Sequence, residues 1–352
     1  YDFLHHDQRV TTPLVKEAGQ WKETSWDEAL SYVAAMINKV VLANGPEAVG
    51  GMISPRSTNE EAFLFQRFMR EVVGTGNIDS TGRLCLEPYR LALKEILGRD
   101  FLPFTLDDIA HSDCIVVAGG DLDMNHHIIA ANRVREALWR RGARLIVLHP
   151  RQGRLAQEAD CWFDLRPGDE AVWAQGLIHL LLKDKKIKGA DTLTGFSDLK
   201  EAVKQFTPPF VAKEIGVSSD LLQEAAQWLA RAKRPAFIGS PPLGQGANGI
   251  DHIKALVNLA LLCGAFSEGK GFHWVGPQSN MVGVTEMGAL PALLPGYGPA
   301  EKRGLSAVEQ FQAAATGKLK ALFIVGEDPL ITLPRDVVEE GLKALELLVV
   351  QD

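Results

Sequence analysis

The chain has 352 residues, 46% hydrophobic and 23% charged, a length for roughly two or three packed domains and a composition that excludes both a small stapled scaffold and a disordered chain. Its 37 Lys and Arg against 44 Asp and Glu leave a formal charge of -7, which argues against nucleic acid as a partner and leaves room only for a local anion site. No apolar run reaches the roughly 18 residues that cross a bilayer, and no basic-then-apolar signal segment opens the chain, so a cytoplasmic location is expected.

In chain order, Ser25-Trp26-Asp27-Glu28 has capping-box spacing ahead of Ala29, Leu30, Val33, Ala34, Ile37 and Val40, which predicts a helix over about 26–44. Thr58 and Glu61 repeat the signature before Phe63, Phe65, Phe68, Met69 and Val72, and Gly74 stops that helix. Gly82 to Glu87 is expected as a loop, with Pro88 at the first position of the next helix. The β-rich run 114–118, a helical stretch to about Arg141 and the run 144–148 form one βαβ unit, so these strands are expected to be parallel. A second unit starts at 235–239, passes a Gly-rich loop to Gly249 and continues as a helix to about Cys263. A further strand at 321–325 runs into Gly326-Glu327-Asp328-Pro329, and the apolar run 347–350 ends on Asp352 as a strand leading into a loop. From this last feature, and a start at Tyr1 without Met, the chain is expected to be a piece of a longer polypeptide. The fold class is α/β, with doubly wound parallel sheets in two Rossmann-like domains, one at residues 45–195 and the other at 1–44 with 196–352. Ligands are expected at the strand C-terminal ends.

Several residues at those ends invite chemistry. Gly119-Gly120-Asp121 reads either as a phosphate or ribose contact through backbone N–H groups or as a tight turn, and it lacks the G-x-G-x-x-G fingerprint. Gly244-Gln245-Gly246 carries the same two readings. His149 and Arg151 follow a strand, where Arg suits a phosphate or a surface ion pair. Cys85, near Arg83 and ahead of the expected helix, reads as a thiolate suited to a soft metal or as inert packing. Cys114, Cys161 and Cys263 read as packing, and no Cys-x-x-Cys spacing supports an iron–sulfur or zinc-finger site here. The pairs His5-His6 and His126-His127 read as solvated or satisfied histidines, since sequence neighbours face apart.

The residues then add up to a family. Tyr1-Asp2-Phe3-Leu4-His5-His6, Arg9-Val10-Thr11-Thr12-Pro13-Leu14 and Ser25 to Ala29 resemble the stretch after the iron–sulfur segment of molybdopterin oxidoreductases. The resemblance continues through Gly74 to Asp79, Arg83-Leu84-Cys85, Gly142 to Val147, Pro150-Arg151 and Arg166-Pro167-Gly168. It ends with Asn280, Gly283, Glu286 to Pro291, Leu294 to Tyr297, Gly326 to Pro329 and Val350-Gln351-Asp352.

This likeness implies a bis-molybdopterin guanine dinucleotide with molybdenum or tungsten, contacted by Gly119, Gly120, Asp121, His149, Arg151, Gly168, Glu170, Gln245, Gly326, Glu327 and Asp328. An acid near the position of Glu170 holds the guanine, and Cys85 falls at the metal-ligand position of formate dehydrogenases. It further implies a 4Fe-4S cluster and a C-terminal dinucleotide-binding domain outside this segment, iron–sulfur and flavin electron-transfer subunits as partners, membrane association only through them, and a small-molecule substrate. Two branches compete: the formate dehydrogenase large subunit, and the large peripheral subunit of complex I acting as an electron-transfer scaffold without molybdenum. Leu86 stands where formate dehydrogenases carry His, and the Arg expected around Gly276-Pro277-Gln278 is absent. Tyr89, Ala92, Leu93, Leu97-Gly98 and Thr105 to Ile109 read more like the complex I branch. The isolated fragment is expected to be inactive.

Overall fold

The structure, a computed structural model, describes residues 5–102, 104–124, 127–183, 193–267 and 270–352. Tyr1 to Leu4 of the opening motif and His126 lie outside the described residues.

Among the described residues nine strands build the two parallel sheets, numbered here in chain order: β1 Val49–Ile53, β2 Ile78–Asp79, β3 Cys114–Ala118, β4 Arg144–Leu148, β5 Cys161–Phe163, β6 Pro235–Gly239, β7 Gly271–Trp274, β8 Ala321–Val325 and β9 Leu347–Gln351. The helices used below are α1 Trp26–Asn44, α2 Asn59–Arg67, α3 Gly82–Leu97, α4 Ile128–Arg141, α5 Glu170–Lys183, α6 Gly249–Leu262 and α7 Ala307–Ala315. Both expected capping boxes form. Ser25 Oγ accepts the Glu28 N–H and Glu28 Oε2 accepts the Ser25 N–H at the start of α1, and Thr58 and Glu61 do the same for α2. α2 runs on into a π-helical turn, Phe68–Val73, which ends at Gly74 with φ 87. That left-handed conformation suits glycine.

The chain forms two compact units, Leu84–Ser279, and Tyr1–Arg83 with Asn280–Asp352. The division falls elsewhere than the expected borders after residues 44 and 195. The reason is strand pairing: β8 pairs in parallel with β1, Ala321 opposite Val49, so the stretch after residue 45 shares a sheet with the end of the chain. In this first-and-last unit the sheet order is β9-β8-β1-β2, every pairing parallel. Its core packs Ile53, Phe65, Met69 and Ile78 with Val284, Ala321 and Leu347.

The unit Leu84–Ser279 holds the order β5-β4-β3-β6-β7, again all parallel. The expected βαβ unit is present: Cys114 pairs with Arg144 and Ala118 with Leu148 across β3 and β4, with α4 between them in the chain. Its core includes Ile115, Val117, Val134, Leu145, Val147 and Ile238. From β3 the chain moves outward through β4 to β5, then returns to lay β6 on the other side of β3. That reversal is the point at which open α/β sheets bind ligands.

A second expectation is corrected. Cys85 lies inside a helix, not ahead of one: α3 begins at Gly82, Cys85 is its fourth residue, and Pro88 sits in its interior. Proline in a helix interior forfeits a hydrogen bond to the residue four before it, here Leu84 in the first turn. The cost therefore falls near the helix start.

Candidate functional site

In the unit Leu84–Ser279 the loops after β3, β4 and β6 meet at the sheet's C-terminal edge. Gly119, at φ 89, leaves no room for a side chain: a Cβ there would lie 2.6 Å from Leu243 Cγ and 3.0 Å from the Ser240 carbonyl oxygen. A Cβ on Gly153, after β4, would fall 1.8 Å from Asp121 Oδ2. These glycines let the three loops pack closely beside the chain reversal, Gly119 against the Leu243 side chain and the Ser240 carbonyl, Gly153 against the Asp121 carboxylate.

Asp121 is 9% exposed, and its Oδ1 accepts the N–H groups of Asp123 and Met124 at 3.0 and 3.2 Å. That oxygen holds the loop's own turn. Behind it Arg135 makes paired contacts of 2.9 and 2.7 Å with Asp123 and also binds Glu158. Hydrogen bonding from Arg135 holds the Asp123 carboxyl below the usual range. His149 is pinned at its strand end, its Nδ1 3.1 Å from the Arg151 N–H and its carbonyl accepting from Trp162 Nε1, and Arg151 is exposed. Gln245 is exposed after the turn that follows β6.

Glu170, the first residue of α5, is 8% exposed, and its Oε2 accepts the Gly168 N–H at 2.8 Å. Gly168 is at φ 107. Sequence reasoning missed Ser240, which directly follows β6. It is buried, and its Oγ has no hydrogen-bond partner among the described residues. A buried hydroxyl left without a partner is costly. The available signal was its position immediately after a strand.

α3 packs against these loops, since a Cβ on Gly244 would meet Pro88 Cβ at 2.8 Å. Cys85 is half-buried there, and its carbonyl accepts from Trp274 Nε1 at 3.1 Å. Tyr89 stacks on the Trp274 ring at 4.8 Å and donates its hydroxyl to the Phe272 carbonyl. Leu86 is 2% exposed. Burial pushes the thiols of Cys161 and Cys263 up to about 12 and that of Cys114 up as well, as inert packing requires. Among the described residues no three His, Cys, Asp or Glu side chains cluster as a metal site.

In the other unit, Gly326 has φ 60 after β8, and a Cβ there would be 3.3 Å from Ser54 Cβ after β1. Burial raises the Glu327 carboxyl, with the Thr81 hydroxyl and Arg56 opposing, and its Oε2 has no partner among the described residues. Asp328 Oδ1 accepts the Leu330 N–H at 3.0 Å and caps a short helix.

Residues 9–352 match the molybdopterin oxidoreductase family. The chain belongs to that family. This molybdopterin oxidoreductase is 31% identical to the F420-dependent formate dehydrogenase 1 subunit alpha of Methanococcus maripaludis and 31% identical to formate dehydrogenase H of Escherichia coli. It is 32% identical to the NADPH-Fe(3+) oxidoreductase subunit alpha of Geobacter sulfurreducens. All of this chain is covered in each case, against 54%, 53% and 43% of those proteins, so it spans about half the length of the curated relatives it matches. Its fold resembles that of acetylene hydratase from Pelobacter acetylenicus, with a TM-score of 0.79 over 99% of this chain and 53% of that one at 22% identity. Membership implies a molybdopterin cofactor with molybdenum or tungsten. The residues fit such a group: glycines at Gly119 and Gly153, the unpartnered Ser240 hydroxyl beside them, and a half-buried thiol on the adjoining helix. No described helix is long and apolar enough to cross a membrane.

Proposed function

We propose that the full-length protein is a redox subunit of formate dehydrogenase type, holding a bis-molybdopterin guanine dinucleotide and passing electrons to iron–sulfur and flavin partner subunits. The observation that carries this is the interlocked glycine cradle at the β3–β6 reversal, which ends in a buried hydroxyl seeking a partner. When bound, the metal–pterin group supplies oxidation–reduction chemistry. The chain's own residues bind and orient it. Backbone N–H groups at Gly119 and Gly120 and the exposed Arg151 suit phosphate oxygens. The Glu170 carboxylate suits the paired N–H donors of a guanine edge. Cys85, half-buried in the first turn of α3, offers a sulfur of the kind that a soft metal takes as ligand. Gly326, Glu327 and Asp328 offer a strand-end site of the same kind in the other unit.

Leu86 favours a second reading, the electron-transfer scaffold of complex I type. Its buried apolar side chain neither accepts a proton nor donates a hydrogen bond, and loss of a general acid or base typically costs on the order of a hundredfold to ten-thousandfold in rate. Formate turnover by the full-length protein is therefore expected to be slow or absent. Metal analysis tests the main reading. Purified full-length protein should carry molybdenum or tungsten, and Cys85→Ala should lose it. Metal content unchanged in Cys85→Ala would remove Cys85 as ligand, a metal-free wild type would favour the scaffold, and brisk formate oxidation would overturn the reading of Leu86.

A further inference from the structure

Trp274, the last residue of β7, ties that strand to the first turn of α3: its Nε1 donates to the Cys85 carbonyl at 3.1 Å. The indole is held in place for this. Tyr89, four residues after Cys85 in α3, stacks on it with centroids 4.8 Å apart and planes 11° from parallel, and the Tyr89 hydroxyl donates to the Phe272 carbonyl of β7 at 3.2 Å. On β6, Gly239 leaves the slot that the indole fills, since a Cβ there would stand 3.0 Å from Trp274 Cε3 and Cζ3. α3 needs support at this end. In a regular helix the Leu84 carbonyl accepts the N–H of residue 88, and Pro88 has none. The turn that carries Cys85 is therefore short of one helical bond, and the Trp274 N–H supplies one from outside the helix. A carbonyl oxygen has two lone pairs, so Cys85 can accept this bond beside the helical one from Tyr89.

We propose that Trp274 is a positioning residue that holds the first turn of α3, and with it the Cys85 sulfur, in one place for a soft metal. The inference rests on the reading above that Cys85 is a metal ligand, and it adds what fixes that ligand. A metal site tolerates a displacement of only about 0.5 Å in a ligand, and groups that orient a metal's ligands are typically worth about ten- to a hundredfold in affinity or activity. The rest of α3 is secured by other means. Arg90 pairs with Asp100 at 2.5 Å and Lys94 with the same carboxylate at 2.7 Å, so the middle of the helix stays in place without the indole. Trp274 thus acts on the turn that carries the thiol, through a backbone carbonyl, and leaves the sulfur free for its ligand role.

The test uses full-length protein and two variants that lack the donor. Trp274→Phe keeps an aromatic ring, and a benzothiophene analogue of tryptophan placed at 274 keeps the ring's size and exchanges only the N–H for sulfur. In protein from a host that cannot make the pterin, hydrogen exchange at the Leu86, Glu87 and Tyr89 amides should speed up by about two- to tenfold in both, the usual range for losing a neutral hydrogen bond, while amides of β3 to β6 keep their wild-type rates. In metal-loaded protein the metal content should stay at the wild-type level, and the metal's electron paramagnetic resonance signal should broaden or double. Thermal melts separate these effects from misfolding. Unchanged exchange in the folded analogue protein overturns the tether. Faster exchange with an unchanged signal, or an effect confined to Trp274→Phe, overturns the positioning role. A wild type that carries no metal, or whose signal is the same in Cys85→Ala, overturns the reading of Cys85 itself, and the exchange rates still decide the tether.

Discussion

Glu327 shows how a single residue's chemistry depends on its surroundings. As one acid of a Gly-Glu-Asp-Pro loop it is visible in the sequence, yet its burial, and the Thr81 hydroxyl and Arg56 that oppose the effect of that burial, come only with the packing. Burial raises its carboxyl above the ordinary value of 4.5, so the native state binds that proton more tightly than the unfolded chain. Stability then falls as pH rises through the window between the ordinary and the native value, and the full penalty is present above the native value. Glu327→Gln removes the ionisation. The variant should melt higher than wild type at neutral pH, and the gap should close at and below about pH 4, where both forms are neutral. Melting curves across that range decide it, and a gap independent of pH would show that Glu327 is not penalised by burial.

Elements rich in β-branched or periodic apolar residues were legible: β3, β4, β6 and β8 lie where their apolar runs predicted, and α1 spans the 26–44 of its capping signal. β1 was not, because Val49-Gly50-Gly51-Met52-Ile53 carries two glycines, which weaken a strand pattern. Their reason is tertiary. A Cβ on Gly51 would lie 2.7 Å from the Phe65 ring and 2.9 Å from Met69 Cε, and one on Gly50 would lie 2.4 Å from Gln310 Oε1. Gly51→Val should therefore destabilise the protein by about 1–3 kcal/mol through overpacking, despite valine's better strand propensity. Denaturant unfolding measures this, and unchanged or raised stability would show that α2 yields to accommodate the side chain. The start of α3 was hidden for a different reason: Pro88 signals a helix beginning, whereas here it stands in the interior.

At the scale of the molecule, the two units differ in how the chain builds them. Leu84–Ser279 is continuous and contains a complete five-stranded sheet with its own core. The other unit needs both chain ends, because β1 pairs with β8 and Met52 packs with Phe311, Leu322 and Ile324. An excised 84–279 should accordingly unfold in one cooperative transition, while an excised 5–83, deprived of β8, should not. Circular dichroism melts and amide dispersion of the two fragments report the outcome, and a molten 84–279 would contradict it.

By itself the sequence determined the α/β class, the parallel βαβ unit and membership of the molybdopterin oxidoreductase family, because these rest on local periodicity, turn chemistry and motifs that are read along the chain. It also brought forward Gly119 and Glu327, each lying just beyond a strand, and Glu170, which opens the helix after β5. Only the tertiary structure decided that Asp121 uses one oxygen on its own turn, that Ser240 is a buried hydroxyl without a partner among the described residues, that His252 faces Glu170, and that residues 49–53 join a sheet with 321–325. Each of these depends on groups brought together from strands and loops distant in sequence. Burial, close backbone approach and hydrogen-bond satisfaction are properties of that packing, and no pattern along a single segment encodes them.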